Sequence, residues 1–168
     1  MAANYRGEAK FLRALTYFSL VQYFAKPYIL DKGASAGLPL RLKGSVSSAD
    51  NDMPRSTVAQ VYAQVLSDLN DAENELPDSY GTALLNTTRA HKNTAIALKT
   101  RVYLNMGNWP SVITEGNKLV PNAAPWVAPS GVANSLQASV ATVYTNYTNS
   151  ELILSMPFTA LDVPGTQN

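Results

Sequence analysis

Cysteine is absent from the 168-residue sequence, which removes disulfide staples, thiol nucleophiles and thiolate metal sites together. Histidine is almost as scarce, since His91 stands alone. No H-E-x-x-H, G-x-S-x-G or Gly-rich phosphate loop accompanies it, so no catalytic residue, metal or cofactor is expected. Charge is sparse and balanced: 13 basic and 12 acidic side chains, 15% of residues in all, leave no electrostatic footprint for nucleic acid or an acidic membrane. No apolar run reaches the roughly 18 residues of a membrane span, and MAANYRGEAKFLRAL lacks the basic-then-apolar layout of an export signal. The chain is therefore cytosolic, or its export signal lies outside it. Missing cysteines do not decide between these.

What the sequence does contain is helical periodicity. From His91 to Val120 it reads as two helices folded back on each other. Ala95, Leu98, Val102 and Met106 recur at three- and four-residue spacing, and Gly107 follows where a left-handed turn suits a residue without Cβ. Trp109 and Pro110 open the second helix, which Val112, Ile113, Leu119 and Val120 fit to cover the first. This order resembles half of a tetratricopeptide repeat, with Gly116 standing where a large aromatic is common and loosening that helix near its end. Trp109 is expected to pack.

Elsewhere the spacing predicts helices over about 5–24 and 57–76, beside those over 92–106 and 109–119. The first is apolar nearly all round, as a central helix would be, or one facing something outside this chain. Its Arg6, Lys10 and Arg13 are expected on a solvated stripe or in local ion pairs. Thr57 and Gln60 have capping-box spacing, Val58 to Leu76 form one apolar stripe, and Pro77 stops it. On its other side Gln64, Asp68, Asp71 and Glu75 read as a solvated face. Residues 25–55 lose periodicity, with extended pieces at Tyr28–Leu30 and Leu38–Leu42, and Tyr28, Ile29, Leu38, Leu40 and Leu42 tucked inward. PDSYGTALLNTTRA reads as a polar loop. Ala133–Val143 holds a short helix, Glu151–Phe158 a short strand or extended segment, and TALDVPGTQN looks cut short. The expected fold class is all-α: tetratricopeptide-like antiparallel hairpins with long irregular loops and a short C-terminal extended segment, residues 1–168 forming one helical domain around one core.

Six blocks then come into view together. Glu8-Ala-Lys-Phe-Leu-Arg-Ala14 with Tyr17-Phe18, Arg55-Ser-Thr-Val-Ala-Gln-Val-Tyr62 with Asp68-Leu69, Arg89-Ala90, Ala97-Leu98-Lys-Thr-Arg101-Val-Tyr-Leu104, Gly107-Asn-Trp109 and Asn149-Ser-Glu151-Leu-Ile-Leu-Ser155 resemble the SusD/RagB family in order and spacing. The chain would be about a third of such a protein, from its N-terminal to its middle part. The resemblance implies a surface-exposed lipoprotein of the outer membrane in Bacteroidetes-type bacteria. Such a protein captures oligosaccharides or other nutrients without altering them and passes them to a TonB-dependent, SusC-like transporter. The lipid-bearing cysteine is absent here, so the anchor would lie upstream. The matched blocks are scaffold, and no family binding residue transfers by position.

Candidates for binding come instead from chemistry. A sugar offers apolar C–H faces ringed by hydroxyls, and a site for it needs an aromatic platform beside amide or acidic side chains. Trp126, in a Pro-rich loop with Asn122, meets this first; Tyr144 and Tyr147 with Asn146 and Asn149 come second, and Tyr80 with Asp78 third. Each also fits an aromatic that pins its loop to the body. A tetratricopeptide-like scaffold that binds protein rather than sugar is the alternative function. His91 is expected to cap a helix or face solvent.

Overall fold

The structure, a computed structural model, describes residues 2–157. In chain order the helices are α1 (Ala2–Phe24), α2 (Tyr28–Asp31), α3 (Val58–Glu75), α4 (Ala83–Thr88), α5 (Lys92–Met106), α6 (Trp109–Gly116) and α7 (Val140–Val143), with a 3-10 turn at Ser48–Asn51. Among the described residues there is no strand, and β pairing is confined to isolated bridges, Ala36 with Thr57 and Val127 with Ser135. Nor is any helix there long and apolar enough to cross a membrane.

The core lies where α1, α3 and α5 meet. On α1 the buried residues Gly7, Phe11, Ala14, Phe18 and Val21 alternate by four and three, the spacing of one helix face. They meet Val58, Val61, Tyr62, Val65, Leu69 and Ala72 of α3, and Ala95, Leu98 and Val102 of α5 complete the cluster. Each large side chain sealed there contributes about 1.5–3 kcal/mol. Gly7 is small for a reason: a Cβ there would stand 3.1 Å from both Glu75 Cβ and Leu76 Cγ, so its absence lets α1 close onto the end of α3.

Local chemistry sets the helix ends. Thr57 Oγ1 accepts the Gln60 N–H (3.2 Å) while Gln60 Oε1 accepts the Thr57 N–H (2.8 Å), the expected capping box of α3. Gly107 sits at φ 70°; its N–H donates to Leu104 O (3.1 Å) and that of Asn108 to Tyr103 O (3.0 Å), closing α5. The chain then reverses into α6, giving the expected antiparallel hairpin. α6 ends at Gly116, earlier than 119, and single turns carry the backbone through Val120.

Charge placement departs from the expectation. The acidic side of α3 is not a solvated face but lies against the basic stripe of α1. Arg6 Nε reaches Glu75 (2.8 Å), Lys10 Nζ reaches Asp71 (2.9 Å) and Glu75 (3.0 Å), and Arg13 forks onto Asp68 through Nε (2.8 Å) and Nη2 (2.6 Å). Asp68 is fully buried and also accepts from Gln64 Nε2 (3.0 Å). Arg89 similarly forks onto Glu8 and lies over the rings of Tyr5 and Tyr80, 5.6 and 5.3 Å from their centres.

A second cluster joins three helices. Lys99, only 2% exposed, donates to Glu73 and lies 3.0 Å from Glu115, while Lys118 Nζ lies 2.9 Å from each of the same carboxylates. At Glu115 Oε2 the approach is close enough for an ion pair but off-angle for a hydrogen bond. Burial raises the Glu73 pKa, but hydrogen bonds from Lys99 and Lys118 outweigh it and leave the carboxyl below its usual range.

Other differences are local. α1 is buried on one face only, leaving Tyr5, Leu12, Leu20, Tyr23 and Phe24 exposed, so it is not packed all round. Tyr28–Leu30, expected extended, is the short α2, and Ile29 and Leu42 point outward while Tyr28, Leu38 and Leu40 reach the core. Thr82, whose Oγ1 accepts the Leu85 N–H (3.3 Å), starts α4 inside the expected polar loop. The predicted Ala133–Val143 helix shrinks to α7. Residues 152–157 carry no helix or strand and bend at Ile153, while Phe158 and TALDVPGTQN fall outside the described residues.

Candidate functional site

The first turn of α5 and its cap reach the loops at residues 130–134 and residue 153. Asn93, fully buried, donates through Nδ2 to Val132 O (2.8 Å), Ser130 O (3.2 Å) and Asn134 Oδ1 (3.2 Å). Gly131 lies so close that a Cβ would fall 2.5 Å from Asn93 Oδ1. Asn134 in turn donates through Nδ2 to Ser150 O (3.3 Å) and Leu152 O (3.4 Å), and Ser135 N–H donates to Ser150 O (2.9 Å). Two amides thus pass the geometry of a helix on to two loops.

His91 fastens the same segment one residue further on. Its imidazole is fully buried, with Nε2 3.1 Å from Ile153 O; a carbonyl accepts, so Nε2 carries the proton and Nδ1 is bare. Burial pushes the imidazole pKa below its ordinary value, against the pull of the Ile153 and Asn86 backbone carbonyls. The histidine is therefore neutral and structural, not solvent-facing, and its backbone closes the α5 N-terminus with Thr94. Ser155 N–H adds a bond to Thr87 O (2.6 Å) on α4.

Held this way, the loops enclose a cleft of about 280 Å³ lined by Leu119, Val120, Trp126, Asn134, Ser135, Leu136, Glu151 and Ile153. Trp126 is 45% exposed, so part of its surface is open to a ligand. Glu151 Oε2 accepts the Gln137 N–H (2.9 Å) and so stands fixed at the rim. The cleft offers one aromatic and several aliphatic walls with a hydroxyl and a carboxylate, while the buried Asn134 amide stays engaged with Asn93, Ser150 and Leu152. That combination stacks on an apolar face and accepts hydrogen bonds from hydroxyls. Among the described residues it has one carboxylate, where glycoside hydrolysis calls for two flanking the bond. Among the described residues no three His, Cys, Asp or Glu side chains gather to hold a metal ion.

The other sequence candidates lie apart from it. Tyr144 is 86% exposed next to α7, and neither it nor Tyr147 nor Asn146 lines the Trp126 cleft. Asn146 Oδ1 accepts from Thr148 N–H (2.8 Å) and Oγ1 (2.7 Å), and Asn149 Nδ2 donates to Val143 O and Asn146 O, so both amides serve their own turn. Tyr80 donates its hydroxyl to Ala90 O (2.9 Å), and Asp78 pairs with Lys92 (2.7 Å). Trp109, expected to pack, is instead 59% exposed. Sequence pattern nominates none of Asn93, Asn134 and Glu151 as site residues; an Asn in the first turn of α5 is the available hint.

Comparison with known proteins places the chain. A family model described as SusD-like, starch-binding and associating with the outer membrane matches residues 2–104. A SusD superfamily protein of Bacteroides fragilis is 34% identical and superposes with a TM-score of 0.82, covering 98% of this chain and 35% of the other. Another, from Bacteroides thetaiotaomicron, is 36% identical with a TM-score of 0.61 over 69% of this chain and 24% of its own. A laminarin-binding SusD-like protein is 27% identical, with a TM-score of 0.55 over 69% of this chain and 22% of its own. No curated protein matches. The chain spans about a third or less of these solved relatives, and its cleft lies beyond the residues that the family model matches. With the family model covering most of α1 through α5, the chain belongs to the SusD-like family.

Proposed function

We propose that this chain is the part of a non-catalytic outer-membrane nutrient-binding protein that holds a glycan in the Trp126 cleft. The observation that carries the reading is a half-exposed tryptophan set beside Asn134, Ser135 and Glu151 by a family scaffold described as starch-binding. In this reading the helices form a rigid frame, the loops after α6 contact the sugar, and no bond in the ligand is broken. By family resemblance the protein is a surface-exposed lipoprotein, and it delivers its oligosaccharide to a TonB-dependent, SusC-like transporter.

Isothermal titration against uncharged glucans, starch- and laminarin-derived oligosaccharides among them, tests this. Binding that leaves the sugar intact and weakens at least about ten-fold in Trp126→Ala is expected, since loss of a stacking aromatic costs about 1.4 kcal/mol or more. No affinity for any glycan, or affinity indifferent to Trp126, refutes it. A second reading, a tetratricopeptide-like protein-binding scaffold without sugar affinity, rests on the exposed Tyr23, Phe24, Ile29 and Leu30 around the end of α1 and α2. Capture of a TonB-dependent barrel by a chain inert towards every sugar is the outcome that selects it. Tyr144, Tyr147 and Asn146 are assigned no contact to the ligand, and Trp126→Ala against Tyr144→Ala separates the two aromatic sets.

A further inference from the structure

Resting on the reading of the Trp126 cleft as a glycan site, we infer that Glu151 makes this site selective for uncharged sugars over anionic ones such as uronates. Among the described residues that line the cleft Glu151 is the charged one; the rest are apolar apart from Asn134 and Ser135. No lysine or arginine among the described residues lines the cleft to neutralise an incoming carboxylate. Lys118, the nearest cation along the chain, is committed to Glu73 and Glu115 at 2.9 Å each. Arg101 lines a separate groove, of which Glu151 and Ile153 form the shared wall, and it is not among the residues of the cleft.

The rim carboxylate is also held in place. Its Oε2 accepts the Gln137 backbone N–H, which ties the charge to the rim, and the Asn149 side chain accepts the N–H of residue 151 (3.0 Å), which fixes the backbone that bears it. A hydroxyl-bearing ring gains an acceptor from this arrangement, whereas a carboxylate or sulfate meets a like charge across a partly dried cleft. Such a juxtaposition weakens binding by about ten-fold.

The test compares the 168-residue chain's affinity for uncharged glucan oligosaccharides and for oligogalacturonates of the same length, in wild type and Glu151→Gln. Gln keeps the acceptor for the Gln137 N–H and removes the charge, and thermal melting of the variant confirms that it folds. Wild type is expected to favour the uncharged series by about ten-fold, Glu151→Gln to bring the two series within about three-fold, and Trp126→Ala to weaken both. A readout without mutation accompanies it: in about 1 M salt, where charges are screened within about 3 Å, the wild-type preference shrinks towards that of the variant. Equal binding of both series by wild type, or a preference that Glu151→Gln leaves unchanged, overturns this inference while the glycan site stands. A chain that binds neither series overturns the site itself and the selectivity with it.

Discussion

Replacing Lys99 with Met should unfold the protein more readily than any loss of apolar contact at that position explains. Lys99 is 2% exposed between Glu73 and Glu115, whose side chains are 18% and 12% exposed. Met preserves the aliphatic bulk, so the main change is two nearly buried carboxylates left to share Lys118. Removing one partner from a buried ion pair costs about 3–5 kcal/mol; Lys118 remains, so the lower end, about 3 kcal/mol, is expected. For a chain of this size that is a fall of about 6–12 °C in Tm. Urea and thermal unfolding followed by far-UV circular dichroism measure it.

Acid supplies the control. Glu73 titrates below its ordinary 4.5 in the folded state, so its contribution is complete above about that pH and is lost as pH falls through the lower folded value. The gap between wild type and Lys99→Met should therefore be widest near neutrality and narrow below pH about 4.5. Replacing all three groups by Met removes the stranded charges, and that triple variant should return to within about 1 kcal/mol of wild type. Lys118, the more exposed member, then regains water. A single-variant loss under about 1 kcal/mol, or a gap of constant size from neutral to acid pH, refutes the reasoning.

Three further outcomes follow from the same structure. Because burial lowers the His91 pKa, the unfolded chain binds the extra proton first, and wild type should lose stability as pH falls below about 6.5 in a way that His91→Gln does not; parallel pH profiles of the two count against it. Gly7→Leu should prise α1 from the end of α3 and cost roughly 1–3 kcal/mol in urea unfolding, with Gly7→Ala milder, and equal stability of all three proteins contradicts the close approach. Only Trp109 and Trp126 contribute indole fluorescence, so a glucan-induced emission change should survive Trp109→Phe and vanish in Trp126→Phe. Survival of the signal in the latter places the sugar elsewhere.

The regular parts of this fold were written in local pattern. The Thr57–Gln60 box, the Val58–Ala72 stripe and the Gly107 bend each depend on residues a few positions apart, and each appears as expected. The pairing of Arg13 with Asp68, 55 positions away, has no such signature: an acidic helix face looks the same whether water or another helix covers it. α4 escaped notice because TALLNTT is too short and polar to show a period. Trp109 stays exposed because a bulky residue after a glycine bend packs only if something lies on that side. Trp126 could be nominated from composition, but its surroundings come from Asn93 reaching Asn134, 41 positions on, and from residues 150–153 beyond that. Amide relays between loops leave no periodic trace.

The ladder between α1 and α3 sorts its rungs by sign, all cations on Arg6, Lys10 and Arg13 and all anions on Asp68, Asp71 and Glu75. While the chain is still only partly folded, two copies of α1 meeting along this edge would repel, and so would two copies of α3. Like signs thus disfavour each helix against its own twin, and opposite signs favour its mate.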